Sequence, residues 1–195
     1  MAWDTARTRA LLIEAAAAEF SEHGLAGGRV DRIATAAGVN KERIYSYFGS
    51  KEGLFAAALA DQLSRTVDAV PIGGEDAEAI VDYAGRVFDH LSAHPELARL
   101  TFWEGLELGS AVESPLRAER IQVKIDAVTA AVPQLSRDRA AQLLFTILTL
   151  ADGYQALRHM ARLHFPDMAD DEERMRARRA AVLSTVRAIL AAETS

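Results

Sequence analysis

The 195-residue sequence contains no sustained run in which apolar and polar residues alternate, which is the pattern of a half-buried β-strand. Apolar residues instead form stripes within segments rich in Ala, Leu, Arg and Glu, which favour helix. Glycine and proline stand between these segments, where they end helices. The sequence therefore predicts an all-α fold of about nine helices.

Four of these helices are predicted in the first 70 residues. The fourth begins at Lys51, after Ser50 as a hydroxyl N-cap, and ends before Pro71. The first three end at glycines: Gly24, Gly38 and Gly49. Longer helices follow the linker, over residues 75–93, 95–108, 115–132, 137–164 and 170–192.

Composition excludes several classes of protein. There is no cysteine, so disulfides and thiolate metal sites are excluded. The longest uncharged apolar window, Ala140 to Ala151, is shorter than the roughly 20 residues that a bilayer of about 30 Å requires. Acid and arginine within the first residues argue against a secretory signal. We expect a cytoplasmic protein with no membrane partner.

Charge is divided unevenly along the chain. The net charge is -6, yet residues 1–51 hold seven bases against six acids, or +1. The remainder therefore holds 15 bases against 22 acids, or -7. A near-neutral N-terminal part followed by an acidic remainder suggests that the two parts have different functions. Basic residues gathered on one face of the N-terminal part would allow nucleic-acid binding.

The second and third helices have the spacing of a helix-turn-helix. Two helices that cross closely need a small residue at the crossing, a glycine in the turn and a branched apolar residue that locks them together. Ala34, Gly38 and Ile44 supply these, and Val39 adds an apolar plug. Ile44 and Phe48, one turn apart, are predicted to face inward, which leaves the basic and tyrosine side chains between residues 41 and 47 outside.

The string GLAGGRVDRIATAAGVNKERIYSYFGSKEGLF resembles the DNA-binding domain of the TetR (tetracycline-repressor-like) family of transcriptional regulators, over residues 5 to about 60. The resemblance implies that the third helix enters the major groove. It also implies that Tyr45, Tyr47 and Lys51 hold backbone phosphates and that Asn40, Lys41, Glu42 and Arg43 read bases. The family commonly has Ser or Thr where Gly28 and Arg29 stand, so Arg29 is expected to replace a hydroxyl contact by charge.

The resemblance implies a ligand-responsive transcriptional repressor that binds a palindromic operator as a dimer and is released by a small-molecule effector. The domains expected are a DNA-binding domain over 1–50, a connecting helix over 51–70 and an effector-binding and dimerisation domain over 71–195. Two alternatives remain open: an all-α small-molecule-binding protein or enzyme with a vestigial helix-turn-helix, and a protein-interaction module anchored by Tyr45 and Tyr47.

The last two long helices are candidates for a homodimer interface. The segment RAAQLLFTILTLADGYQALRHMARL is apolar around much of its circumference, which suggests two buried faces. The final helix carries an approximate stripe of Met175, Val182, Val186 and Ile189. Two such helices from each chain would form a closed four-helix bundle. The alternative is a helix wholly buried within its own domain.

Aromatic residues of the C-terminal region are candidates for an effector pocket. We expect this pocket to be largely apolar with few polar anchors. The candidates are Phe88, Phe102, Trp103 and Tyr154, and Tyr83 is a further aromatic residue of this region. Arg86, Glu104 or His159 could serve as polar anchors. The alternative for each aromatic is an ordinary core position.

No other chemistry is indicated. His90 and His94 are four residues apart, as a metal pair would be, but neither a carboxylate nor a cysteine stands at a matching spacing. No glycine-rich phosphate loop follows a strand, and no nucleophile elbow is present. We therefore expect no cofactor, no metal and no enzymatic activity.

Overall fold

The computed structural model describes residues 2–112 and 114–194, with no side-chain description for 2–4, 114 and 194. The described residues contain no strand and form ten helices. The all-α prediction is confirmed. The helices are α1 (Ala2–Gly27), α2 (Val30–Ala37), α3 (Glu42–Phe48), α4 (Lys51–Ala69), α5 (Ala77–Ala93), α6 (Pro95–Glu107), α7 (Ser114–Ala131), α8 (Arg137–Ala156), α9 (Arg158–His164) and α10 (Asp171–Thr194).

The count of ten exceeds the predicted nine because the segment 137–164 is two helices instead of one. The backbone leaves the helical region at Leu157, where φ is -107° and ψ is 16°. The N–H of Leu157 still bonds to the carbonyl of Gly153, and its own carbonyl accepts from the N–H of Met160. No proline or glycine marks this break, which is why the sequence pattern runs through it.

The chain divides into two compact units, Met1–Thr66 with Glu96–Ser114, and Val67–Pro95 with Pro115–Ser195. The first unit contains α1, α2, α3, α6 and most of α4. Its core is built from fully buried Leu, Ile and Phe side chains, with the rings of Phe20 and Phe55 meeting edge to face at 5.4 Å. Each such side chain contributes roughly 1.5–3 kcal/mol by leaving water.

The second unit is organised around α5, which packs against both α8 and α10. Gly85 of α5 permits a close approach, because a Cβ there would lie 2.7 Å from the guanidinium of Arg179 on α10. The same guanidinium forms a bidentate ion pair with Asp89, in which Nε and Nη2 donate to the two carboxylate oxygens at 2.7 and 2.9 Å. Val182 and Val186 of α10 are 1% and 0% exposed within the single chain.

This burial corrects one expectation. Val182 and Val186 belong to the stripe predicted for the dimer interface, yet both are packed inside their own chain and are not accessible to a partner. Met175 and Ile189 of the same stripe are partly exposed. In the described part of the chain, no helix is both long and apolar enough to cross a membrane.

Candidate nucleic-acid interface

Helices α2 and α3 form the predicted helix-turn-helix. Gly38 closes α2 in the left-handed region, at φ 67° and ψ 31°, and its N–H bonds to the carbonyls at the end of α2. The N–H of Val39 bonds to the carbonyl of Ala34 at 3.0 Å, which completes the turn. Ile44 of α3 is 0% exposed, whereas its neighbours Arg43 and Tyr45 are exposed. One wholly buried isoleucine therefore fixes a short helix whose polar side chains are mostly exposed.

Asn40 and Lys41 precede α3, which begins at Glu42 and not at about residue 40 as predicted. The side-chain oxygen of Asn40 accepts the N–H of Glu42 at 3.3 Å in a local turn that leads into α3, whose N-cap is Lys41. Lys41 forms an exposed ion pair with Asp31, at 3.1 Å, which raises the pKa of the lysine. Exposed pairs of this kind are weak, so Lys41 can exchange Asp31 for another anion at little cost.

The tyrosines of α3 have different surroundings. Tyr45 is 49% exposed. The hydroxyl of Tyr47 accepts a hydrogen bond of 3.2 Å from the guanidinium of Arg43, which connects a predicted phosphate contact to a predicted base reader. The ring of Phe48 meets that of Tyr47 edge to face at 6.3 Å and lies under the guanidinium of Arg9, 5.3 Å away. Phe48 is half-buried, so it fixes α3 less completely than Ile44 does.

Glu19 of α1 secures the start of α2. Arg29 caps α2 with its backbone only, as expected from the missing hydroxyl, and its N–H donates to Glu19 at 2.8 Å. The guanidinium of Arg32 donates to the same carboxylate at 2.8 and 3.0 Å. Burial raises the pKa of Glu19, but the hydrogen bonds from Arg32 and Arg29 outweigh this effect and hold the pKa below its ordinary value.

This arrangement predicts a pH-dependent loss of stability in Glu19→Gln. Because the folded-state pKa is depressed, the stabilisation by the carboxylate is complete above its ordinary pKa of 4.5 and is lost as pH falls through the folded value. We expect the variant to lose about 1–2 kcal/mol of unfolding free energy at pH 7 and progressively less in acid. Urea unfolding at pH 7 and near pH 4 measures this.

Glu22→Gln is the matched control, because the side chain of Glu22 is 71% exposed. It should change the unfolding free energy little at either pH. An equal loss for Glu19→Gln at both pH values would contradict the assigned role.

Lys51 opens α4 after Ser50, whose hydroxyl accepts the N–H of Gly53 at 3.0 Å, so the predicted N-cap is confirmed. The ammonium of Lys51 donates to the carbonyls of Ala26 and Gly28, at 3.3 and 3.2 Å. An ammonium has three donors, so these two bonds anchor the group and leave a third N–H for a phosphate oxygen. Sequence reasoning identified Lys51 but not the carbonyls that hold it.

Together these features define a helix-turn-helix DNA-binding module: two short helices joined by a glycine turn, a buried isoleucine in the second helix, a polar outer face and an anchored lysine. Among the described residues, no group of three or more His, Asp or Glu could hold a metal ion. His90 and His94 lie with ring centroids 4.7 Å apart, and burial lowers the pKa of His90.

The candidate effector residues fall into two separate pairs. Phe88 and Tyr154 belong to the second unit, where their ring centroids are 5.7 Å apart. Phe102 and Trp103 belong to the first unit. Phe102 is 41% exposed, and the indole of Trp103 donates to the carbonyl of Ser21 on α1 at 3.3 Å.

The suggested polar anchors also have structural roles. Glu104 is 5% exposed and accepts the N–H of Val112 at 2.7 Å. Arg86 donates to Asp82 and to the carbonyl of Pro71. His159 lines an open cleft of about 320 Å³ with Arg158, Arg162 and Asp171.

Known proteins match both parts of the chain. Residues 12–58 match the family model for bacterial regulatory proteins of the tetR family, and residues 79–187 match the model for the tetracyclin repressor-like C-terminal domain. The HTH-type transcriptional repressor SCO4008 of Streptomyces coelicolor is 40% identical over 172 residues, which cover 82% of this chain and 84% of the relative. The chain belongs to the TetR family of bacterial transcriptional regulators, so the resemblance seen in the sequence is confirmed.

Two further similarities agree with this. The HTH-type transcriptional repressor NicS of Pseudomonas putida is 34% identical over 107 residues, 53% of this chain and 50% of the relative. The crystal structure of SCO4942 from Streptomyces coelicolor superposes with a TM-score of 0.74 at 33% identity, covering 92% of this chain and 96% of that one. Regulators of this family bind DNA operators and usually act as dimers.

Proposed function

We propose that this chain represses transcription by binding a palindromic operator as a homodimer and leaves the operator when a small-molecule effector binds. The observation that carries the proposal is the geometry of α3, in which Ile44 is wholly buried and the surrounding polar side chains are exposed. The relatives SCO4008 and NicS are both named as repressors, which supports repression over activation. The alternative of a vestigial helix-turn-helix is not favoured.

The proposed DNA contacts divide into those that hold the backbone and those that read bases. Lys51, Tyr45 and Tyr47 contact phosphates, and Arg29 adds an exposed positive charge at the start of α2. Asn40, Lys41, Glu42 and Arg43 are the base readers. A guanidinium or ammonium pairs with guanine O6 and N7, and a carboxylate accepts from cytosine N4. The Arg43–Tyr47 hydrogen bond holds the guanidinium beside the proposed phosphate contact.

The proposed dimer forms through the outer faces of α8 and α10. Phe145 of α8 is 65% exposed in the single chain, so its ring is available to a partner. Exposed small residues share one face of α10 at helical spacing and would admit a close approach: Ala181, Ser184 and Ala188. A two-fold axis through these helices pairs each α8 and α10 with its copy.

The effector is proposed to be a small, largely apolar molecule bound in the C-terminal region. Phe88 and Tyr154 provide an aromatic pair in the second unit. Within the described residues, the Oδ1 of Asp152 and the Oε1 of Gln155 are buried without a hydrogen-bond donor, and burial raises the pKa of Asp152 to about 6. Unsatisfied acceptors three residues apart on α8 favour an effector that brings an N–H or O–H group.

The phosphate role of Lys51 is tested by Lys51→Ala. Removing one phosphate contact from each protomer should weaken DNA binding roughly 10- to 100-fold at about 100 mM salt, whatever the sequence. The slope of log affinity against log salt should fall by about 2 for the dimer. Fluorescence anisotropy with labelled duplexes across a salt series measures both quantities.

Arg176→Ala is the charge-matched control, because it removes one exposed positive charge from α10. It should leave the salt slope unchanged. A Lys51→Ala protein with the affinity and slope of the parent would show that Lys51 does not contact phosphate. The proposal as a whole is tested by a shift assay on the DNA upstream of the protein's own coding region, with and without candidate effectors.

A further inference from the structure

Three side chains of α6 contact the end of α1 within the first unit. Arg99 donates to the carbonyl of Ser21 at 2.7 Å, and the indole of Trp103 donates to the same oxygen at 3.3 Å. The carboxylate of Glu107 accepts the N–H of Ala26 at 2.9 Å. The three residues are spaced four apart, so they share one face of α6.

The end of α1 requires such partners because the helix is kinked at Gly24. The backbone there has φ 70° and ψ -179°, which breaks the helical hydrogen bonding and frees carbonyl and N–H groups on both sides. A Cβ at Gly24 would lie 2.6 Å from the carboxylate of Glu107 and 2.9 Å from the ring of Trp103. The missing side chain is therefore what admits α6.

The segment held by Glu107 is the one that anchors Lys51. Ala26 donates its N–H to Glu107 and offers its carbonyl to the ammonium of Lys51, at 3.3 Å. The second anchor, the carbonyl of Gly28, lies two residues further along, where the N–H of Gly28 bonds to the carbonyl of Gly24 at 3.0 Å. A continuous path of hydrogen bonds thus runs from α6 to the lysine that opens α4.

We propose that Glu107 is a positioning residue for the DNA contact of Lys51. By fixing Ala26, Glu107 holds the two carbonyls in the arrangement that aims the ammonium of Lys51 outward. The inference rests on the proposed phosphate role of Lys51. When Glu107 no longer holds Ala26, the carbonyl anchors shift, the lysine samples more rotamers and phosphate binding weakens.

Substitutions at Glu107 separate positioning from charge. Glu107→Ala and Glu107→Gln remove the same negative charge, which by itself strengthens binding to a polyanion, but only glutamine keeps an acceptor for Ala26. We expect Glu107→Ala to bind operator DNA about 5- to 10-fold more weakly than Glu107→Gln in anisotropy titrations. Glu107→Asp keeps the charge but is one methylene too short to reach Ala26, so it should also bind more weakly than the parent.

A double-variant cycle supplies the decisive comparison. In a Lys51→Ala background, Glu107→Ala and Glu107→Gln should bind DNA equally, because there is no ammonium left to position. Equal affinities of the two variants in the parent background, or an unchanged difference between them without Lys51, would overturn the inference. If thermal melting shows the alanine variant to be unfolded, Glu107→Asp is compared with the parent, which has the same charge: it should bind DNA more weakly than the parent when Lys51 is present and equally when Lys51 is alanine.

These outcomes are distinct from failure of the proposed function. If Lys51→Ala alone leaves DNA affinity and salt slope unchanged, the phosphate role of Lys51 is wrong and the inference falls with it. If Lys51→Ala weakens binding but the glutamine and alanine variants at position 107 are alike, the phosphate role stands and only the positioning role is wrong.

Discussion

Replacing Gly53 with alanine is expected to destabilise the DNA-binding unit by about 2–4 kcal/mol and to abolish most DNA affinity. A Cβ at Gly53 would lie far inside van der Waals contact with the carbonyl oxygen of Phe48, which is backbone and cannot rotate away. Either the last turn of α3 or the first turn of α4 must move, and these turns carry Tyr47 and Lys51. The cost is that of overpacking combined with loss of the local backbone geometry.

Gly105→Ala is the matched control for this substitution. Gly105 lies within α6 and is exposed, and a Cβ there would meet nothing within 4 Å. Alanine favours helix over glycine by about 0.5–1 kcal/mol, so the control should be equally or more stable and should bind DNA normally. Denaturant unfolding of both variants measures the difference. A Gly53→Ala protein as stable as the parent would contradict the close approach of α3 and α4.

Phe145→Glu is expected to convert the dimer into a folded monomer. In the proposed interface, Phe145 meets its two-fold copy, and the substitution would bury two carboxylates close together. Loss of the aromatic contact together with charge repulsion should raise the dimer dissociation constant at least about 100-fold, or roughly 3 kcal/mol. Because Phe145 is 65% exposed in the single chain, the fold itself should be retained.

Sedimentation velocity on Phe145→Glu measures this effect directly. Val123→Glu is the control, because Val123 of α7 is also an exposed apolar residue, at 63%, and lies outside the proposed interface. Operator affinity should fall with dimerisation, since a monomer reads only one half-site. Phe145→Glu that remains a dimer with unchanged affinity would place the interface elsewhere.

The helix-turn-helix was predictable because its constraints are local in sequence. Gly38 ends α2 through its left-handed backbone, and Ile44, six residues later, can only face the core. The start of α3 was predicted less well. Asn40 and Lys41 continue a polar helical pattern, but the side chain of Asn40 bonds to the N–H of Glu42 in a turn before the helix. Composition alone does not distinguish such a turn from the first turn of a helix.

The less predictable features depend on contacts between distant residues. The sequence presents Trp103 as a candidate for the effector pocket, whereas the structure directs its indole to Ser21, 82 residues earlier. The stripe containing Val182 and Val186 indicated that one face of α10 is apolar, but it did not indicate which residues bury that face. In the structure, residues of the same chain bury it. The one available signal for the α6 contact was Gly24, whose lack of a side chain admits Trp103 and Glu107.

We propose that this chain binds a specific palindromic DNA sequence as a dimer through α3 and Lys51. The decisive measurement is selection of bound duplexes from a random pool, repeated with Lys51→Ala. We expect enrichment of a two-fold symmetric site with half-sites about one helical turn apart or at a longer fixed spacing, and we expect the variant to bind the same site more weakly. Enrichment of no sequence, or of one without two-fold symmetry, would contradict it.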